Sequence, residues 1–147
     1  LKGDHVMKGY YRNEQATAET IIDGWLHTGD LARIDEEGYV YLLDRLKDLI
    51  ITGGENVYSS EVEAALHRHP AVSEASVIGV PDDRLGEALL GVIVLRPDGE
   101  VTDEELIDHC RDLIGGYKIP RKYEFVESLN KSALGKVLKA ELREQYS

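Results

Sequence analysis

Residues 72–95 read VSEASVIGVPDDRLGEALLGVIVL. Val72 to Val80 and Ala88 to Leu95 are each strand-length and rich in β-branched and apolar residues. Pro81-Asp82-Asp83 between them supplies turn chemistry, so the stretch predicts two strands joined by a turn. Leu89 to Leu95 is the longest apolar run and contains Gly91. It falls far short of the ~20 residues a membrane helix needs and reads as a buried strand.

Working outward, the same alternation of strand and helix signals continues. Downstream, Thr102-Asp103-Glu104-Glu105 has capping-box spacing. The helix behind it carries Leu106, Ile107, Cys110, Leu113 and Ile114 on one stripe, with Gly115-Gly116 as its stop. Lys122 to Val126 predicts a third strand, and Ala133 to Tyr146 a terminal helix with Val137, Leu138 and Leu142 on its apolar side. Upstream, Leu49-Ile50-Ile51 predicts a strand stopped by Gly53-Gly54. Ser60-Glu61-Val62-Glu63 reads as another capping box, opening a helix with Val62, Ala65 and Leu66 inward and ending before Pro70. From about Leu46 the order is hairpin, helix, two strands, helix, strand, helix. That is an α+β unit with a small sheet covered by helices. Before it, Asn13 to Ile22 predicts a capped short helix broken at Asp23-Gly24, and Leu31 to Ile34 with Tyr39 to Leu43 predicts a hairpin. These first 45 residues do not close a core of their own.

The chain has 147 residues, 42% apolar and 31% charged, enough for one ordinary domain with a real core. A formal charge of −11 disfavours nucleic acid and anionic membranes, since both want a basic face. One cysteine, Cys110, permits no internal disulfide and points to a reducing, cytoplasmic setting. No secretory leader precedes Leu1, and the abrupt start without Met suggests a fragment boundary.

Familiar catalytic patterns fail. Gly135-Lys136 is followed by Val137, and Asn130 stands where a Walker loop needs its first glycine. His67 and His69 lie two apart, which one helical face cannot carry together, so no metal site is assigned. Cys110 sits on an apolar helix stripe and reads as core. Five ordered stretches carry the reading further. They are Val6-Met7-Lys8-Gly9-Tyr10; Gly24-Trp25-Leu26-His27-Thr28-Gly29-Asp30; Asp44-Arg45-Leu46-Lys47-Asp48 running into Gly53-Gly54-Glu55-Asn56-Val57; Tyr117-Lys118-Ile119-Pro120; and Gly135-Lys136-Val137-Leu138-Lys139. Together they resemble the adenylate-forming family of AMP-forming acyl-CoA synthetases, and they span nearly the whole chain.

The resemblance implies a two-step ligase. A carboxylate attacks the α-phosphate of ATP to give an acyl-adenylate and pyrophosphate. The CoA thiol then displaces AMP, while a small C-terminal lid domain swings between one pose per step. It implies that residues 1–45 are the last stretch of a large N-terminal domain and residues 46–147 are the lid. Lys136 resembles the adenylation lysine, a long ammonium suited to charge building up at the α-phosphate; its ordinary alternative is a solvated lysine on the last helix. Asp30 resembles the ribose-binding aspartate, with two acceptor oxygens for two hydroxyls; its alternative is a turn aspartate after Gly29. Arg45 resembles the arginine beside the ribose; its alternative is a surface pair with Asp44 or Asp48. Lys47 falls at the family's hinge. Gly53 and Gly54 match the pantetheine channel, where a missing Cβ lets a thin ligand pass; they serve equally as turn glycines. Lys118, Arg121 and Lys122 are all candidates for the CoA phosphates. The Asn130-Lys131 pair and Leu134 depart from the common form of the lysine motif.

By this resemblance the partners are the chain's own N-terminal domain, ATP or AMP, CoA and a carboxylic acid, most like a fatty acid. Mg2+ would be held mainly by the larger domain, with no cofactor bound to these residues. The fragment alone is expected to be inactive. Two alternatives stand beside this reading: an enzyme loading a carrier-protein thiol, and a non-catalytic binding module retaining the lid fold. Residues 1–45, lacking a parent sheet, could pair with a second copy.

Overall fold

The computed structural model describes residues 1–147, which divide into two compact units, Leu1–Leu46 and Lys47–Ser147. The first unit contains helix α1 (Glu14–Thr20), strands β1 (Ile21–Ile22) and β2 (Trp25–Leu26), and strands β3 (Asp30–Ile34) and β4 (Val40–Arg45). Asn13 caps α1 by accepting the Ala16 N–H at 3.0 Å. Asp23 and Gly24 both take positive φ (51° and 76°), the geometry of a two-residue hairpin between β1 and β2. β3 and β4 pair antiparallel from Asp30↔Arg45 to Ile34↔Val40. Asp35 organises their turn by accepting the N–H groups of Glu37 and Tyr39 and the Tyr41 hydroxyl. The Tyr39 N–H is the chief reason its carboxyl titrates below the ordinary range. No side chain in this unit is fully buried, and Ile34, Tyr39, Val40 and Leu42 all lie exposed.

The second unit is built on one sheet with strand order β6-β5-β8-β7, and β9 parallel to β8. A 3₁₀ turn at Leu46–Asp48 leads into β5 (Leu49–Thr52), which pairs antiparallel with β6 (Glu55–Tyr58). Helix α2 (Ser59–Leu66) follows. β7 (Val72–Asp82) and β8 (Gly86–Leu95) then form a long antiparallel hairpin, from Val72↔Leu95 to Asp82↔Gly86. Helix α3 (Asp103–Arg111) crosses to β9 (Lys122–Phe125), and α4 (Lys139–Tyr146) closes the chain.

Side chains of alternate parity on β7 and β8 enter two cores. Ala75, Val77, Leu89 and Ile93 pack with Val62, Leu66, Leu106 and Cys110 of α2 and α3. Ile78, Leu90 and Val92 pack with Leu129 and with Leu142 of α4. Burial on both faces explains why residues 72–95 read as near-continuous apolar sequence rather than a clean alternation. The expected α+β sheet with covering helices is present. The Thr102–Glu105 capping box forms in full, with the Thr102 N–H donating to Glu105 at 2.8 Å and the Glu105 N–H donating back to Thr102 Oγ1 at 3.3 Å. Burial raises the Cys110 thiol, which suits a core residue and not a nucleophile. No helix is long and apolar enough to cross a membrane.

Four local expectations need correction. Pro81 and Asp82 belong to β7, and the turn lies at residues 83–85. β7 is an edge strand, where a residue without an N–H is tolerated. The helix starting at Asp103 ends at Arg111 and not at Gly115; Gly115 instead precedes a separate 3₁₀ turn at Gly116–Lys118. Ser60 and Glu63 make no capping box. α2 starts at Ser59 after Tyr58 without a side-chain cap, because Glu63 turns inward to accept the Val77 N–H at 2.8 Å. The terminal helix begins at Lys139, not Ala133. Gly135 takes φ 77°, Lys131 bridges Val137, and the Ser132 N–H donates to Lys136 O at 2.8 Å, so residues 131–137 fold back on themselves before the helix can start.

Gly91 faces Tyr123 across the β8–β9 pair, and a Cβ there would sit 2.6 Å from the tyrosine ring. Tyr123 is itself buried, so its ring has little room to retreat. Gly91→Ala is expected to cost about 1–3 kcal/mol through overpacking. Urea unfolding of the chain measures it, and pairing the change with Tyr123→Leu should recover most of the loss.

Candidate functional site

The sequence-predicted residues fall into three places. In the first unit, Asp30 and Arg45 end β3 and β4 as register partners, and Arg45 Nε lies 3.1 Å from Asp30 Oδ1. The arginine's guanidinium thus pairs with Asp30, while its main-chain N–H donates to Asp44 Oδ1 at 2.8 Å. The Leu46 N–H donates to Gly29 O at 2.8 Å, which fixes the chain on both sides of the pair. Asp30, Leu42 and Arg45 line a shallow depression of about 270 Å³. The pair is half exposed, so its value lies in orienting two charged groups and not in stability.

In the second unit, Gly53 and Gly54 form the turn between β5 and β6, with φ of 57° and 85°. Both central positions are left-handed, as a two-residue hairpin turn requires, and an L side chain there costs about 1–2 kcal/mol. The Gly53 N–H donates to Leu85 O at 2.9 Å, joining this turn to the turn of the β7–β8 hairpin. Asp82 shapes that second turn by accepting the N–H groups of Leu85 and Arg84; the Leu85 bond does most to lower its pKa. Between these turns and the segment after α3 lies a cleft of about 510 Å³, lined by Thr52, Gly53, Arg84, Leu85, Arg121 and Lys122, among others. Three cations, Arg84, Arg121 and Lys122, and two carboxylates, Glu55 and Asp82, line it, a cationic excess in a chain of net charge −11. Gly54 does not line the cleft, and a Cβ on it would meet nothing within 4 Å.

Of the three basic candidates, Lys118 is taken. Its ammonium binds both Glu61 carboxylate oxygens, at 2.7 and 2.8 Å, tying the 3₁₀ turn to α2. Arg121 and Lys122 line the cleft and make no such pair. Arg84 went unnoticed in the sequence. Its signal was present, since a lone arginine in a turn between two long strands is carried to the sheet's end, but only the Gly53–Leu85 bond brings that turn beside Gly53.

Lys136 stands at the third place. It lies on the turn made by residues 131–137 and is exposed, like Ala133, Leu134 and Gly135 around it. Its N–H reaches Ser132 Oγ at 3.3 Å and its carbonyl accepts the Ser132 N–H. The backbone is thus pinned while the ammonium makes no ion pair. Lys47 is exposed within the 3₁₀ turn at the unit boundary, and Asp48 beside it is buried against Arg143 Nη2 at 2.7 Å.

Comparison with known proteins adds the following. A family profile described as AMP-binding enzyme C-terminal domain matches residues 61–136. A 2-succinylbenzoate–CoA ligase of Bacillus cereus (strain Q1) is 49% identical over 144 residues, covering 98% of this chain and 30% of that protein. Among solved structures, o-succinylbenzoate CoA synthetase (MenE) from Bacillus subtilis, in complex with the acyl-adenylate intermediate OSB-AMP, is 44% identical. It aligns with a TM-score of 0.90 over 97% of this chain and 29% of that one. A Mycobacterium tuberculosis fatty acyl CoA synthetase is 43% identical, with a TM-score of 0.72 over 99% and 29%. The chain therefore spans about 30% of the length of the curated relatives it matches.

The Lys118–Glu61 bond raises the lysine's pKa, the hydrogen bond to Glu61 being the largest cause. The stability it adds is fully present below the unfolded lysine value of about 10.4 and is lost as pH rises through the higher folded value. Glu61→Gln should remove this part of the alkaline dependence. Unfolding free energies of the two chains between neutral and strongly alkaline pH check it, the difference between them shrinking as pH rises.

Proposed function

Because the chain belongs to the AMP-binding enzyme C-terminal domain family, we propose that it is the C-terminal portion of an AMP-forming acid–CoA ligase. Residues 1–45 are the end of the large domain, and residues 46–147 are the lid that moves about Lys47. The observation that carries this reading is Lys136. It ends the family-matched segment, its backbone is pinned to Ser132, and its ammonium is exposed and without an ionic partner.

In the first half-reaction a substrate carboxylate oxygen attacks the α-phosphorus of ATP, the bond to the bridging oxygen breaks, and pyrophosphate leaves. Negative charge gathers on the α-phosphate oxygens and the entering carboxylate. A lysine ammonium brought there stabilises that charge without a proton transfer. Asp30 offers carboxylate oxygens to the ribose hydroxyls, and Arg45, held at 3.1 Å, orients it and adds a cation near the nucleotide. Mg2+ accompanying ATP belongs to the larger domain in this scheme.

In the second half-reaction the CoA thiolate attacks the adenylate carbonyl and AMP leaves. Gly53, which lines the cleft, lets the pantetheine arm run close to backbone, and Gly54 completes the turn that presents it. Arg84, Arg121 and Lys122 supply cations for the CoA phosphates from the same cleft as Gly53. Lys118 is spent on Glu61 and has no part in this.

For the acid, the 49% identity to a 2-succinylbenzoate–CoA ligase favours a substrate of that kind. A fatty acid is the second reading, supported by the 43% identity to the mycobacterial fatty acyl CoA synthetase. Assay of the full-length protein with ATP, CoA and either acid separates them by kcat/KM.

Lys136→Ala in the full-length protein is expected to lower acid-dependent ATP–pyrophosphate exchange by about 100-fold or more. CoA attack on supplied acyl-adenylate should stay within a few-fold of the parent. Undiminished exchange sinks the assignment of Lys136. Arg84→Ala and Arg121→Ala should instead raise the KM for CoA, with little change in the KM for dephospho-CoA if they bind the 3′-phosphate.

A further inference from the structure

Three residues beyond Lys136, the first residue of α4 reaches into the second unit. Lys139 Nζ lies 2.7 Å from Glu63 Oε1 and donates to Ser59 Oγ at 2.6 Å. Both charged side chains are largely withdrawn from water, at 14% and 20% exposure. Glu63 Oε1 also accepts the Val77 N–H from β7. One carboxylate therefore joins α2, the long strand and the start of α4. A partly buried ion pair with its remaining acceptors satisfied is costly to separate and has a narrow range of geometries.

The rest of α4's start has one further side-chain anchor, the exposed bond from Asn130 Nδ2 to Glu141 at 3.0 Å, and no second ion pair. Its N-cap residue is Leu138, without a side-chain cap. The turn before it is held by the Ser132–Lys136 bonds, by the Leu138 N–H donating to Asn130 O at 2.9 Å, and by Val137 against the core around Leu142. One helical turn further on, Arg143 binds Asp48 at 2.7 Å, next to Lys47. The i, i+4 spacing of Lys139 and Arg143 puts both ion pairs on one side of α4.

We propose that Lys139 is a positioning residue for Lys136. Its clamp on Glu63 and Ser59 fixes where α4 begins, and so fixes the base from which the Lys136 ammonium extends in the adenylation step. This rests on the reading of Lys136 given above. Lys139 itself touches no reacting group. A base displaced by about 1 Å is enough to cost on the order of 100-fold in rate.

The test uses the full-length ligase and measures both half-reactions. Lys139→Met keeps the aliphatic stem and removes the clamp. It should lower kcat for pyrophosphate exchange by about 100-fold, with KM for ATP and acid unchanged and CoA attack on supplied adenylate retained. Lys139→Arg should restore most of the exchange. In a Lys136→Ala background, Lys139→Met should cause no further loss of residual exchange. If the single variant does not fold, Lys139→Met with Glu63→Gln leaves a neutral pair and should show the same selective loss. Equal loss in both half-reactions, a normal exchange rate, or a loss that multiplies with that of Lys136→Ala overturns the proposal. Normal exchange by Lys136→Ala alone instead overturns the reading of Lys136, and the role of Lys139 falls with it.

Discussion

The pairing of β7 with β8 is the interaction everything else in the second unit leans on. It runs in register from Val72↔Leu95 to Asp82↔Gly86. Its two faces are filled from different parts of the chain, α2 and α3 on one side and α4 on the other. Because β8 also pairs with β5 at Thr52↔Gly86 and with β9 from Leu90↔Lys122, it sets the height of the Gly53 turn and of Lys122 along the cleft. A one-residue slip in the hairpin would exchange the two cores and move the Arg84 turn away from Gly53.

The two units solve the burial problem differently. The second has a double core and satisfies its inward-turned charges in pairs: Lys139 with Glu63, Arg143 with Asp48 and Lys118 with Glu61. The first has short hairpins, no fully buried side chain and a row of exposed Tyr39, Val40, Tyr41 and Leu42. Such a contiguous row is unusual on a free surface. Under the proposed placement of residues 1–45 at the end of a larger domain, that domain would cover it.

How much was legible in the sequence follows from how local each signal is. The Thr102 capping box, the Asn13 cap and the long hairpin were readable because their partners lie close in sequence or share a simple period. The Ser60–Glu63 box was misread for a nonlocal reason. Glu63 has a better acceptor role with Val77 and Lys139, one of them 76 residues away by number, and local spacing cannot report that. The start of the last helix was misplaced because Ala133, Leu134 and Lys136 are good helix formers, while Gly135 at φ 77° and the Lys131–Val137 bridge override propensity. Lys136, Asp30 and Arg45 were named through ordered motifs, since a lysine or an aspartate alone carries no such message. Arg84 was missed because it has no motif of its own and gains meaning only from the contact between two turns.

The position of Lys136 on an exposed turn, and not on the helix, has a consequence for its neighbours. Ala133 and Leu134 touch neither core, Leu134 being 86% exposed. Substitutions at these two positions therefore leave the fold's stability almost untouched, whereas Asn130 and Lys131 are tied in, Asn130 Nδ2 donating to Glu141 at 3.0 Å and Lys131 pairing with Glu74 at 2.6 Å. The exposed tip that carries Lys136 can therefore change at Ala133 and Leu134 while the scaffold beneath it stays as it is.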